Sequence, residues 1–307
     1  MPVHTDLNKL PLFHHAVITV GTFDGVHNGH KMLIRQIINE AKKRDGASIL
    51  ISFDPHPKSV IMPQGEQLRL LTTNDEKTAL IEKEGVDHMV IAPFTKEFSK
   101  LSAMEYIEQF LVKRFHPAAI VLGYNHRFGH HRDGNIELLG KLSGQYQFDV
   151  IEIHKQLIND IEVSSTRIRL ALTEGDVSTA NSLLGRRYSF QGIVIKGDQR
   201  GRTIGFPTAN LKLNNEQKLI PARGVYAIYA GSGNKLYKGM MNIGVRPTVN
   251  GTTETIEAHL FDFNQDIYGE RLTIDCVCRI RNEIKFESID RLKHQLELDK
   301  QSALLHL

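Results

Sequence analysis

Cysteine is nearly absent: the 307 residues include two, Cys276 and Cys278. They stand two apart in a segment with strand character, so they share a face and are poorly placed to bridge each other. A lone C-x-C also supplies too few thiolates for a metal centre, and both are expected as small apolar fillers. No apolar run reaches the roughly 18 residues of a membrane span, and the opening MPVHTDLNKLPLF has no apolar core of a secretory signal. Lipidation signals are missing as well. The expected compartment is the cytoplasm, with no membrane partner. Charge of either sign is barely in excess: 38 Lys+Arg against 35 Asp+Glu leave +3. With no basic stripe interleaved by aromatics, nucleic acid is not an expected partner either. A Pro/Gly/Ser-rich linker is also lacking, although the length suits two domains rather than one. The expectation is therefore two directly joined domains; composition assigns no oligomeric state. Hydrophobic content of 41% and charged content of 24% are ordinary for a globular chain.

Against these absences one stretch stands out, residues 21–30, reading GTFDGVHNGH. The β-branched run Val17-Ile18-Thr19-Val20 before it predicts a buried strand. After it, Ile34, Ile37, Ile38 and Ala41 recur at helical spacing, and Lys42, Lys43 and Arg44 follow where the helix dipole favours cations. Ala47 to Phe53 predicts a second strand, which completes one right-handed βαβ unit. Gly21, Gly25 and Gly29 clear side chains from a turn that must come close to a ligand. The helix start offers N–H groups and a positive dipole end to phosphate. His27 and His30, three apart, are placed to donate to one anion as charge develops on a leaving phosphate. The plainer alternative is a glycine turn with two surface histidines. An HxGH between strand and helix marks the nucleotidyltransferase superfamily, and this stretch resembles the GxFDGxHxGH of bacterial FAD synthetases.

Strands and helices keep alternating up to about residue 186. Asp54-Pro55-His56-Pro57 stops the second strand. Thr73 with Glu76, and Ser102 with Glu105, fit capping boxes for helices to about Glu84 and Arg114. Val86 to Ala92, Ala118 to Leu122 and Phe148 to Ile153 are further strands. This alternation predicts a doubly wound parallel sheet whose ligands gather at the carboxyl ends of the strands. The Gly21 turn, the FDPHP turn and the loop after Leu122 all fall at that edge. That loop, GYNHRFGHHRDGN, holds Arg127, Arg132, His126, His130 and His131, suited to closing over phosphates. Metal binding by its histidines is the alternative, but no carboxylate or cysteine completes a ligand set. It resembles the GYDFRFG-type motif of FAD synthetases, with Asn125 at the aspartate position and His126 at the aromatic one. Ser164, Ser165, Thr166 and Arg167 open the next helix, either as caps alone or as a second phosphate cluster. They resemble the family's ISSTRIR segment. No KMSKS-like lysine motif is present, which argues against a class I aminoacyl-tRNA synthetase.

From Tyr188 the period drops towards two. Tyr188 to Ile195, Gly224 to Ala230, Leu236 to Ile243, Thr255 to Phe263 and Leu272 to Ile280 predict an antiparallel barrel of five or six strands. A helix from about Ser288 to Leu298 would pack on it, with Ser302 to Leu307 as an extension. Glycines among cations in residues 197–205 suit a flap over phosphates, and Thr208 and Asn210 are hard oxygen donors of the kind Mg²⁺ accepts. The tetrapeptide PTAN after GRxxGF resembles the signature of riboflavin kinases, and residues 242–248 match that family's NIGxRPT. Glu257 and His259 alternate with Ile256, Ala258 and Leu260, and by pattern alone Glu257 reads equally well as a solvated strand glutamate.

The resemblance spans nearly the whole chain: the sequence is similar to the prokaryotic bifunctional riboflavin kinase/FMN adenylyltransferase family. It implies an α/β fold, with an N-terminal Rossmann-like nucleotidyltransferase domain (1–186) and a C-terminal antiparallel β-barrel riboflavin kinase domain with a terminal helix (187–307). It implies ATP, riboflavin and FMN as substrates, FAD as product and Mg²⁺ as metal. In the first domain it implies an ATP site at Gly21, Phe23, Asp24, Gly25, His27, Gly29, His30, Asn125, Ser164, Ser165, Thr166 and Arg167. Flavin contacts there would come from Phe53, His56, Pro57 and Asn125, and His27 and His30 would be catalytic. In the second it implies an ATP site at Gly197, Gly201, Arg202, Gly205, Thr208 and Asn210, with Mg²⁺ at Thr208 and Asn210 and Glu257 as base. Two other readings stay open: an enzyme with the adenylyltransferase activity alone, and a non-enzymatic flavin-responsive module.

Overall fold

Val17–Val20 is buried at all four positions, as a strand covered on both faces must be. It is β2 of a six-stranded sheet made of β1 (Val3–His4), β2, β3 (Ser48–Asp54), β4 (His88–Pro93), β5 (Ala119–Gly123) and β6 (Asp149–Ile153), in the order β1-β4-β3-β2-β5-β6. Every pairing is parallel. The computed structural model describes residues 1–63, 65, 67–154, 157–158, 161–197, 200–233, 235–248 and 251–307, without the side chains of 158, 161, 200, 202, 246–248 and 251–253. Ile18, Val20, Ile49, Ile51, Ile120 and Leu122 share one core with Phe110 and Phe115. Val17, Leu50, Ala119 and Val121 share another with Ile34, Ile37 and Ala41 of the helix Asn28–Lys43. Alternate residues of each strand thus serve opposite layers, the predicted doubly wound arrangement.

Both capping boxes form. Thr73 and Glu76 open the helix Asn74–Glu84, which Gly85 ends at φ 87°. Ser102 and Glu105 open the other. The second helix departs from the expected single element: after Ala103–Glu105 the backbone widens into a π-helix at Tyr106–Val112 before a last turn at Lys113–Phe115. Tyr106 there stacks on Phe128, centroids 5.1 Å apart, and Phe110 meets Phe98 edge-on at 4.9 Å. Such widening is a tertiary accommodation with no spacing signature.

The chain divides into two compact units, Met1–Ser164 and Ser165–Leu307. A short antiparallel pair, β7 (Leu157–Ile158) and β8 (Ile161–Glu162), precedes the division. The second unit is a closed antiparallel barrel of β9 (Tyr188–Ile195), β10 (Ala209–Leu213), β11 (Gly224–Ser232), β12 (Lys235–Thr248), β13 (Gly251–Leu260) and β14 (Arg271–Arg281), in the order β10-β13-β12-β11-β14-β9. The sixth strand, β10, contains the end of PTAN; its length and flanking turn residues hid it from pattern reading. The terminal helix is one element, Ile289–His306, with the Ser288 side chain accepting from Arg291 N. The periodicity changes where predicted, at β9, yet the helices Ser165–Glu174 and Val177–Leu184 before it pack within the second unit. Asn181 Nδ2 donates to Cys276 O at 2.9 Å, and Asn181 Oδ1 accepts from Tyr188 N at 2.6 Å. Both cysteines are free thiols, and burial pushes the Cys276 thiol far up. Among the described residues no helix is long and apolar enough to cross a membrane.

Candidate active sites

In the first unit, β2 lies between β3 and β5, so the turns leaving those three strands share one sheet edge. The Gly21 turn, the FDPHP turn and the loop after Gly123 are therefore neighbours, at the place where the connections depart in opposite directions. The turn is unusual in its backbone: Phe23 (φ 49°), Gly25 (φ 85°) and Val26 (φ 38°) are left-handed. A β-branched residue in that region is strained and persists only where its surroundings hold it.

What holds it is a buried polar web. The Asp24 carboxylate accepts from Leu71 N at 3.0 Å, Thr72 N at 2.9 Å and Thr72 Oγ1 at 3.2 Å, while Gly25 N donates to Thr72 Oγ1 at 3.0 Å. Beneath the turn Lys77, 5% exposed, donates from Nζ to Ser52 Oγ at 2.9 Å and to Thr22 O at 3.4 Å. Burial lowers the pKa of this ammonium, and Asp24 and Asp54 oppose that shift. A lysine inside a capped helix reads as a surface residue; only the tertiary structure shows it buried.

His27 is the N-cap of the Asn28–Lys43 helix, and its Nδ1 accepts from His30 N at 3.3 Å. One of the helix's first N–H groups, expected to face a ligand, is thus capped by the motif itself. An accepting Nδ1 leaves the proton of the neutral ring on Nε2. The His27 and His30 rings stack at 3.6 Å with 16° between planes, and Phe23 lies 5.0 Å from His30. A side chain at Gly29 would come within 3.3 Å of the His27 ring and 3.7 Å of Val163 O, so the residue before Ser164 lies against the turn. Gly21 packs on the Phe23 ring.

The remaining predicted residues of this unit separate. Phe53 is 7% exposed inside a cluster with Phe94, Phe98 and Phe110, and its ring belongs to the core. His56 caps the short helix Pro57–Ile61, accepting from Lys58 N at 3.1 Å. Asn125 is exposed in the loop after β5, whose later part doubles back where Phe128 bridges Gly134. Ser164 ends this unit; Ser165, Thr166 and Arg167 form the first turn of the Ser165–Glu174 helix in the other.

The barrel brings its three motifs together. Asn210 of β10 and Asn242 of β12 both stand in register with Glu257 of β13, one on either side. Cross-strand partners project from one face, so two carboxamides flank one carboxylate. Thr208 Oγ1 donates to Glu257 Oε2 at 3.3 Å. Gly197 has no room for a side chain: its Cβ would stand 2.3 Å from Asn210 Nδ2. The Gly201 carbonyl accepts from Ile204 N and Phe206 N, and Gly205 turns the chain at φ 86° into PTAN. Asp198 and Gln199 lie outside the described residues, as do the side chains of Arg202, Arg246, Pro247 and Thr248. A cleft of ≈ 500 Å³ opens beside Thr208, lined also by Pro207, Ala209, Ala258 and residues 263–268. Of that last segment only Phe263, the end of a predicted strand, carries a signal in the sequence.

Comparison with known proteins follows the same division. A family model described as FAD synthetase matches residues 11–167, and one described as riboflavin kinase matches residues 184–307. A bifunctional riboflavin kinase/FMN adenylyltransferase of Haemophilus influenzae is 38% identical over 94% of this chain and 93% of its own. The protein of that name from Bacillus subtilis is 38% identical over 94% of this chain and 92% of its own. A solved structure described as a macrolide-efflux protein of Streptococcus pneumoniae is 31% identical, with TM-score 0.90 over 98% of this chain and 97% of that one.

Proposed function

Since the chain belongs to the family of bifunctional riboflavin kinases/FMN adenylyltransferases, we propose that each of the two arrangements above carries one of the family's reactions. The enzyme phosphorylates riboflavin to FMN with ATP and adenylylates FMN to FAD with release of pyrophosphate. We assign residues 1–186 to the second reaction and 187–307 to the first.

In the kinase step the 5′-hydroxyl of riboflavin attacks the γ-phosphorus of ATP, and ADP leaves. A primary alcohol is almost wholly protonated at neutral pH, so a base that takes its proton accelerates the step. Glu257 is our candidate, supported by its place between Asn210 and Asn242 and by its contact with Thr208. The Thr208 hydroxyl donates its hydrogen to Glu257 and keeps oxygen lone pairs for a cation; the Asn210 amide oxygen is a second hard donor. This donor set fits Mg²⁺, which would neutralise charge on the phosphates when bound. The glycine turn around Gly197, Gly201, Arg202 and Gly205 would cover them.

In the adenylyl transfer the FMN phosphate attacks the α-phosphorus of ATP. It is already an anion and needs no base, so alignment and charge stabilisation carry the step. We assign those tasks to His27 and His30 on the turn of Gly21, Phe23, Asp24, Gly25 and Gly29, and to Asn125 and Ser164. Within that set Asp24 acts by anchoring the turn rather than by meeting ATP, because its carboxylate already accepts three hydrogen bonds within the protein. For the flavin we retain His56 and Pro57, which flank the turn after β3, with Phe53 as their support. We place the protein in the cytoplasm, where ATP is supplied.

The observation that carries this reading is the in-register row Asn210, Glu257, Asn242. Incubation with riboflavin, ATP and Mg²⁺, with flavins separated over time, should show FMN rising first and FAD after it. Formation of neither would overturn the reading; FAD formed only from added FMN would remove its kinase half.

A further inference from the structure

His259 belongs to the same face of β13 as Glu257, two residues on. Its Nδ1 lies 2.7 Å from the carbonyl oxygen of Pro207. A carbonyl only accepts, so Nδ1 carries the hydrogen, which fixes the tautomer of the neutral ring. The next residue after Pro207 is Thr208, whose hydroxyl reaches Glu257. Glu257, His259, Pro207 and Thr208 therefore close a ring in which two contacts seat one dipeptide on one strand. The two contacts are unequal. At 3.3 Å the Thr208–Glu257 bond is long for a hydroxyl donor, whereas 2.7 Å is short for a nitrogen donor. The imidazole bond is the shorter of the two. His259 itself is 9% exposed, with Phe206 and Phe261 rings at 5.2 and 5.7 Å, so it is walled off from a substrate.

We propose that His259 is a positioning residue for phosphoryl transfer: its Nδ1–H holds the Pro207 carbonyl and thereby sets Thr208 against Glu257. This rests on the assignment of Glu257 as the base. Burial lowers the His259 pKa, and the Pro207 bond partly opposes it while the Lys300 charge adds to it. The ring is neutral at physiological pH, with its one hydrogen committed to Pro207.

The test uses three full-length variants, His259→Leu, His259→Asn and His259→Gln. Asparagine carries an amide N–H near the place of Nδ1, glutamine carries one a methylene further out, and leucine carries none. A misplacement of the order of 1 Å costs roughly 100-fold in rate. We expect the kinase kcat of His259→Leu and His259→Gln to fall by about 10- to 100-fold, with the riboflavin KM little changed. His259→Asn should recover most of it, and the FMN adenylylation of all three should match the parent. In the parent, ¹⁵N spectra of labelled histidine should show a neutral ring protonated at Nδ1. An asparagine variant as slow as the leucine one, a leucine variant within about twofold of the parent, or an Nε2-protonated ring would each overturn the proposal. Should His259→Leu fail to fold, the asparagine–glutamine contrast and the parent spectrum decide. Glu257→Gln is measured alongside: full kinase activity there removes the base assignment itself, separately from any result at 259.

Discussion

Histidine serves at least four distinct ends in this chain, and its neighbours decide which. His27 caps a helix and His30 stacks on it; His259 holds a carbonyl; His126 is forced neutral. Replacing His30 by alanine removes one of the two stacked imidazoles, and FAD formation should fall at least about 100-fold while riboflavin phosphorylation continues. Glu257→Gln should do the opposite, lowering FMN formation by about 10²- to 10⁴-fold with FAD still made from supplied FMN. Steady-state rates with each flavin separately check both. Burial, helped by the Arg132 charge, pushes the His126 pKa from 6.5 to about 4. Between those two values the unfolded chain binds a proton that the folded chain refuses, so stability falls as pH drops from about 6.5 to about 4. Melting temperature against pH should show this limb, and His126→Phe should flatten it.

At the level of elements, the strained Gly21 turn depends on groups borrowed from elsewhere, chiefly Thr72 and Lys77. Lys77→Met keeps the length of the side chain but leaves Ser52 Oγ without the hydrogen it accepts, while Thr22 O keeps only the Ser52 hydroxyl. We expect a loss of about 1–3 kcal/mol in stability, read by denaturant unfolding, and slower FMN adenylylation with an unchanged kinase. The terminal helix is tied to β14 by a two-point ion pair, Arg281 Nε to Asp299 Oδ1 at 2.8 Å and Nη2 to Oδ2 at 2.6 Å, with Asp299 1% exposed. Removing one partner of a buried pair typically costs about 3–5 kcal/mol, so Asp299→Ala should lower the barrel's melting midpoint, followed by circular dichroism. Elements with local signals were legible in advance. The capped helices at Thr73 and Ser102, the buried strand before Gly21 and the long barrel strands all follow from spacing and caps. β1, with two residues, and β10, five residues behind a glycine turn, carry no such signal and exist because neighbouring strands offer them a ladder.

For the whole molecule, the assignment of the two reactions to separate residue sets makes a direct prediction. Neither His30→Ala nor Glu257→Ala alone should convert riboflavin to FAD at an appreciable rate, yet a mixture of the two full-length variants should, because FMN made by one diffuses to the other. FAD yield should rise with the concentration of either variant, and chromatography of the mixture should show free FMN as the intermediate. A mixture as inactive as its components would show that the reactions cannot be divided in this way.

Taken alone, the amino-acid order determined the kinds of chemistry present: a histidine-bearing glycine turn between strand and helix, a threonine–asparagine pair, a strand glutamate. Those are local, because a turn, a cap or an alternation is written within a few consecutive residues. Tertiary structure decided which of them meet. Asn210, Asn242 and Glu257 share a row only through the register that barrel closure imposes, Lys77 is buried only because the sheet edge lies over it, and the Asp24 carboxylate accepts from Thr72, 48 residues on. Register and burial are settled by packing between segments distant in the chain, whose pairing free energy no short window contains.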